Sequence, residues 1–124
     1  MKIFSEPLAA ETDPTANVTD FLERIAEQDP EHPLFSIQQG EQWQDLTTKE
    51  FHDEVRAIAK GLIGIGVQPG DKLGLLSRTR YEWTVLDFAM MYAGAISVPI
   101  YESSSPEQIK WVLGDSESIG CFFL

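Results

Sequence analysis

The sequence is poor in the residues from which site chemistry is usually read. It holds one cysteine and two histidines in 124 residues. Cys121 therefore has no partner for an internal disulfide. His32 and His52 lie twenty residues apart without cysteine neighbours, which is not the spacing of a zinc site. Basic residues are scarce as well: nine Lys and Arg stand against twenty Asp and Glu, a net charge of −11. A nucleic-acid binder uses a basic face to displace phosphate counterions, so no nucleic-acid partner is expected. No window approaches the roughly 18 apolar residues of a membrane span. Met1 to Ala10 lacks a basic region followed by an apolar run, so no secretory leader is expected. With a lone cysteine, these absences lead to the expectation of a cytoplasmic protein.

What is present is globular in balance, with 43% hydrophobic and 23% charged residues. A chain of this length holds about one domain and buries roughly two-thirds of its unfolded surface. The charge is uneven. Residues 1–54 carry three basic and thirteen acidic side chains, residues 55–124 six and seven. The first half is expected to present an acidic, solvated surface.

Residues 1–16 show no hydrophobic period and read as an extended arm. Val18, Phe21, Leu22 and Ile25 then fall at helical spacing, and Asp29-Pro30 ends that helix. Leu34 to Leu46 reads as a hairpin: Phe35 and Ile37 alternate, and Gln39-Gly40-Glu41 turns. Thr47-x-x-Glu50 is a capping box opening a helix with an apolar face of Phe51, Val55, Ile58, Ala59 and Leu62. Gly64 and Gly66 stop it, and Pro69-Gly70-Asp71 is a turn.

The remainder alternates. KLGLLS (72–77) is a strand, and Thr79-x-x-Glu82 is expected to cap a helix running to about Tyr92. ISVPI (96–100) is a second strand, Ser105-Pro106 starts another helix, and GCFFL (120–124) is a third strand. The fold class is therefore α/β: a short hairpin followed by a parallel β-α-β-α-β unit with right-handed crossovers. GCFFL, with nothing after it to cover or pair it, is expected to be an open apolar edge, available for self-association or strand swapping through residues 120–124.

No catalytic constellation emerges from these residues. Gly61-x-x-Gly64-x-Gly66 follows a helix, whereas a dinucleotide loop follows a strand and opens a helix. Cys121 reads as a buried, inert thiol, and His32 and His52 as structural histidines. Arg78 and Arg80 read as partners for Glu82 or Asp87. Asp87, if buried, requires Arg78, Arg80 or Lys110 as its counter-charge. Ser103-Ser104-Ser105 lies between a strand and a helix, where α/β sheets bind ligands, although capping alone accounts for Ser105.

From Trp43 onward the sequence resembles the N-terminal part of the adenylate-forming (AMP-binding) synthetases. The resemblance rests on an ordered set over about 80 residues. LTTKEFHDEVRAIAKGLIGIGVQPGDKLGLLSRTRYEW is followed by MYAGAISVPIYESSSPEQIKWVLGDSES. In order come W-x-x-LT, GL-x-x-x-GV, PGD, EW, AGA-x-x-VP, a serine/proline helix start, and L-x-DS. SRTRYEWTVLDFA followed by VPIYESSSPEQI is most similar to the bacterial long-chain fatty acid–CoA ligase branch.

The resemblance implies that residues 17–124 form an incomplete N-terminal subdomain of such a ligase. It implies a parent enzyme that adenylates a long-chain fatty acid with ATP and magnesium and then forms a thioester with CoA. It also implies peripheral contact of the parent with the inner membrane face. The family's phosphate loop, its aromatic-Gly-x-Thr-Glu motif, its ribose-binding aspartate and its catalytic lysine belong to later regions and are not found here. The chain alone is accordingly expected to be inactive, with no catalytic or metal residue of its own and no tightly bound cofactor. By the same resemblance, Tyr101, Glu102 and Ser103 match the segment beside the nucleotide end of CoA, although Glu102 stands where some relatives have a small residue. A free-standing α/β interaction module, or part of another adenylating enzyme such as an aryl-CoA ligase, are the alternatives.

Overall fold

The computed structural model of the protein describes residues 13–124. The extended arm expected over residues 1–16 lies, for residues 1–12, outside the described residues; residues 13–16 contain a turn in which Asp13 accepts from the Thr15 amide at 2.8 Å. Nine elements follow in the order α1 (Val18–Gln28), β1 (Pro33–Gln39), β2 (Gln42–Thr47), α2 (Thr48–Gly64), β3 (Lys72–Leu76), α3 (Tyr81–Tyr92), β4 (Ile96–Ile100), α4 (Pro106–Asp115) and β5 (Gly120–Phe123).

Local chemistry sets most of the boundaries. Asn17 starts α1, its side-chain oxygen accepting from the Thr19 and Asp20 amides at 2.9 and 3.4 Å. Thr47 and Glu50 form a reciprocal capping box: Thr47 Oγ1 accepts from the Glu50 amide at 3.2 Å, and Glu50 Oε2 from the Thr47 amide at 2.8 Å. The helix ends at Gly64, and Gly66 then takes a φ of +103°, which a side chain would strain. Ser105 caps α4 in the same reciprocal manner with Gln108, and Pro106 occupies the first turn.

The start of α3 differs from expectation. Thr79 does not cap it. Arg80 is the N-cap residue, without a side-chain cap hydrogen bond, and Glu82 is engaged by the Arg80 guanidinium at 2.6 and 2.8 Å. The Arg80 guanidinium gives the Glu82 carboxylate two charge-assisted bonds where a capping box would give it one, so the box does not form.

The hairpin pairs β1 and β2 antiparallel. The second sheet is parallel, in the order β4-β3-β5. Leu76 stands level with Ile100 on one side and Phe123 on the other, so the three strands end together. The chain moves from β3 to β4 and then returns past β3 to β5, which makes β3 the point where strand order reverses. Leu73 and Leu75 look into the core with Val85, Ala89 and Met90 of α3 and Phe51, Val55, Ala59 and Leu62 of α2. The opposite face of β3 receives α4 at Gly74. As expected, 120–124 is the third strand and lies at an edge of the parallel sheet: β5 pairs along β3, and Phe122 packs against the core. Its outer edge has no strand partner among the described residues, and Phe123 and Leu124 are exposed.

Candidate site at the carboxyl edge of the parallel sheet

Ligands of open α/β sheets lie beyond the carboxyl ends of the strands. Here that edge is built from the residues after β3 (Ser77, Arg78, Thr79), those after β4 (Tyr101, Glu102, Ser103) and Leu124 after β5. Between the ends of β3 and β4 is a pocket of about 210 Å³ lined by Ser77, Thr79, Trp83, Pro99, Ile100 and Tyr101. Ser77 is buried, and its hydroxyl donates to the Arg78 carbonyl at 2.8 Å, fixing the turn out of β3.

The three residues singled out in the sequence stand together at the end of β4. Tyr101 is 84% exposed, and Glu102 and Ser103 are exposed beside it. The Tyr101 carbonyl accepts from the Ser104 amide at 3.0 Å, so this segment turns at once toward α4. An exposed phenol ring at a pocket rim is a platform for a flat, apolar ring. Glu102 has the wrong charge for a phosphate. The α4 N-terminus is already served: Ser105 accepts from the Gln108 amide at 3.3 Å, and the Glu107 carboxyl is held below its ordinary range chiefly by its own backbone amide. The arrangement suits a flat ring better than an anion.

A wider cleft of about 530 Å³ separates the hairpin from the loop before α3, with Phe35, Ile37, Arg78, Arg80 and Tyr81 on its walls. Its floor is tied by the Tyr81 hydroxyl, which donates to Glu54 at 2.6 Å. Arg80 is spent on Glu82, in agreement with the structural pairing expected for it. Asp87 is only half-buried and pairs with none of Arg78, Arg80 or Lys110 among the described residues, because water still reaches it. Burial pushes the Cys121 thiol up, which suits an inert cysteine. The His52 side chain is 12% exposed and lies 3.0 Å from Glu23, a long-range pairing that no local pattern signals. Among the described residues no group of three or more His, Cys, Asp or Glu side chains converges as a metal site would require. No helix among them is long and apolar enough to cross a membrane.

A hairpin and a parallel three-stranded sheet packed between helices define an α/β fold that recurs in solved structures. The Klebsiella oxytoca NpsA N-terminal subdomain, solved in complex with 3-hydroxybenzoyl-AMSN, superposes with a TM-score of 0.74 over 84% of this chain and 26% of that one, at 23% identity. The fatty acid AMP ligase from Legionella pneumophila gives 0.73 over 82% and 18%, also at 23% identity. At such identities these likenesses speak for the fold alone. Sequence carries the assignment further. The chain belongs to the AMP-binding enzyme family, whose profile matches residues 22–123. It is 44% identical over 106 residues to the long-chain-fatty-acid–CoA ligase FadD15 of Mycobacterium bovis, a match covering 86% of this chain and 18% of that protein. The chain thus spans less than a fifth of the curated relative it matches.

Proposed function

We propose that residues 17–124 serve as part of the N-terminal subdomain of an ATP-dependent long-chain fatty acid–CoA ligase. The observation that carries this reading is the 44% identity to FadD15 across 106 residues. In the proposed parent reaction a fatty carboxylate oxygen attacks the α-phosphorus of ATP and expels pyrophosphate. The CoA thiol then attacks the acyl carbon and expels AMP. Magnesium would offset the phosphate charge in such a step. The described residues of this chain do not offer a metal site, and no step is assigned to it here.

The part given to this chain's own residues is architectural, with one contact. Its helices and sheet hold the carboxyl edge rigid, and Tyr101 at the end of β4 offers its ring to the adenine of CoA, with Glu102 and Ser103 beside it. The exposure of Tyr101 and the mostly apolar pocket next to it support this contact. A chimera carrying residues 17–124 in place of the matching stretch of FadD15 tests it. Tyr101→Ala should raise the CoA KM about fivefold, the low end of base–aromatic stacking, and leave the ATP KM alone. An unchanged CoA KM contradicts the contact.

By itself the chain is proposed to be inactive, with no ATP–pyrophosphate exchange under any fatty acid. The open outer edge of β5, with Phe123 68% exposed, favours self-association of the isolated chain through residues 120–124. A monodisperse monomer at high concentration contradicts that part.

A further inference from the structure

Helix α1 is held to the rest of the molecule in an unusual way. Of its five apolar side chains Leu22 is buried and Ala26 half-buried; Val18, Phe21 and Ile25 are 51%, 53% and 41% exposed. The three overhang a groove of about 210 Å³ whose other wall is Leu34, Phe35, Phe51 and Phe88. Apolar burial is therefore complete at one residue of this eleven-residue helix and partial at the others, and polar contacts add to it.

Those contacts converge on Glu23. Oε1 lies 3.0 Å from His52 Nε2 and 3.9 Å from Arg56 Nη1, both on α2. His52 Nε2 is closed off from water and has no well-aligned hydrogen-bond partner among the described residues; Glu23 faces it at close range as a charged neighbour. Nδ1 of the same ring is 3.8 Å from Asp53. From α3, the Tyr92 hydroxyl donates to the Thr19 carbonyl of α1 at 3.4 Å, and the Tyr92 and His52 rings meet edge to face with centroids 6.3 Å apart. Asp20 of α1 also bears on Tyr92. The groups facing Glu23 are thus His52, Asp53 and Arg56 from α2, Tyr92 from α3, and Asp20 from its own helix. Two of them are potential cations and two are anions, so the balance of the cluster rests on the Glu23 charge.

We propose that α1 is an acid-released strap: protonation of Glu23 frees it from α2 and α3 and opens the aromatic groove beneath it. Chiefly the His52 side chain holds the Glu23 carboxyl below its ordinary value of 4.5, against a smaller opposing effect of burial. A carboxyl lowered in the folded state stabilises above its unfolded value and loses that contribution as pH falls through the folded one. The strap is therefore closed at neutral pH and opens below about 4.5. Salt weakens the hold, because Glu23 and Arg56 are partly in solvent.

Hydrogen exchange of the 124-residue chain, followed by mass spectrometry at about pH 6.5 and about pH 3.5 and corrected for intrinsic rates, tests this directly. Peptides within 18–28 should lose about five- to tenfold more protection on acidification than peptides of α2 and α3. In Glu23→Gln the same peptides should already be loose at neutral pH and show no separate acid step. The proposal is overturned if α1 loses protection only in step with α2 and α3, or if Glu23→Gln keeps wild-type protection. The first comparison requires no variant, so a Glu23→Gln chain that fails to fold leaves it decisive.

Discussion

Gly74 of β3 lies directly beneath Leu113 of α4. A Cβ at position 74 would stand 2.6 Å from Leu113 Cδ2 and 2.8 Å from Cys121 Sγ. That distance lets α4, which has no fully buried residue of its own, sit on the sheet. Gly74→Ala should therefore cost about 1–3 kcal/mol through overpacking. Gly114, inside α4, has open space around it. Gly114→Ala should be neutral or stabilising by up to about 1 kcal/mol, since only the helical entropy of glycine changes. Urea midpoints of the two variants should move in opposite directions or differ sharply. Equal midpoints would mean that α4 does not pack on Gly74.

The two candidate capping boxes should respond differently to the same substitution. Thr47→Ala removes the acceptor for the Glu50 amide and should cost about 1 kcal/mol, read as loss of protection in the first turn of α2. The Glu50 carboxyl is held low chiefly by the Thr47 backbone amide, a bond that Thr47→Ala leaves in place and that weakens as pH falls below about 4.5. Thr79→Ala should stay within about 0.5 kcal/mol of wild type, because Arg80 and not Thr79 is the N-cap of α3. A Thr79→Ala loss as large as that of Thr47→Ala would contradict the observed start of α3.

Two half-buried tyrosines contribute to the alkaline behaviour. Burial pushes the Tyr81 and Tyr92 phenols above the ordinary 10.0, with Glu54 adding to the first and Glu23 to the second. A phenol raised in the folded state stabilises fully below its unfolded value and loses that contribution as pH climbs through the folded one. Stability should therefore decline from about pH 10 upward. In Tyr81→Phe part of that decline should disappear, at a cost at neutral pH of about 0.5–1.5 kcal/mol for the lost hydrogen bond to Glu54. Denaturant titrations at neutral and alkaline pH measure both quantities. An identical alkaline slope in wild type and Tyr81→Phe contradicts the argument.

The parts of this fold that are local could be read from the sequence. The period of α2, its Thr47–Glu50 box, the Gly40 turn, the Ser105–Pro106 start of α4 and the three apolar strands all depend on residues close in the chain. Thr79-x-x-Glu82 has the same local pattern and misleads, because the intervening Arg80 takes the glutamate. The links between Tyr81 and Glu54 and between His52 and Glu23 join residues far apart in sequence, and no periodicity foretells them. The same holds for α1: its stripe of Val18, Phe21, Leu22 and Ile25 is as regular as that of α2, yet tertiary packing fully buries only Leu22 and leaves the other three about half exposed. At the candidate site, the sequence placed Tyr101, Glu102 and Ser103 at the strand end. The neighbouring wall of Thr79 and Trp83 became visible only once β3 and β4 were side by side.

The central claim is that this chain can act as the N-terminal piece of a fatty acid–CoA ligase. The most direct measurement is acyl-CoA formation from a long-chain fatty acid, ATP and CoA by the FadD15 chimera carrying residues 17–124. The account predicts thioester production by the chimera and none by the 124-residue chain alone. A folded, soluble chimera that forms neither acyl-adenylate nor thioester would contradict it.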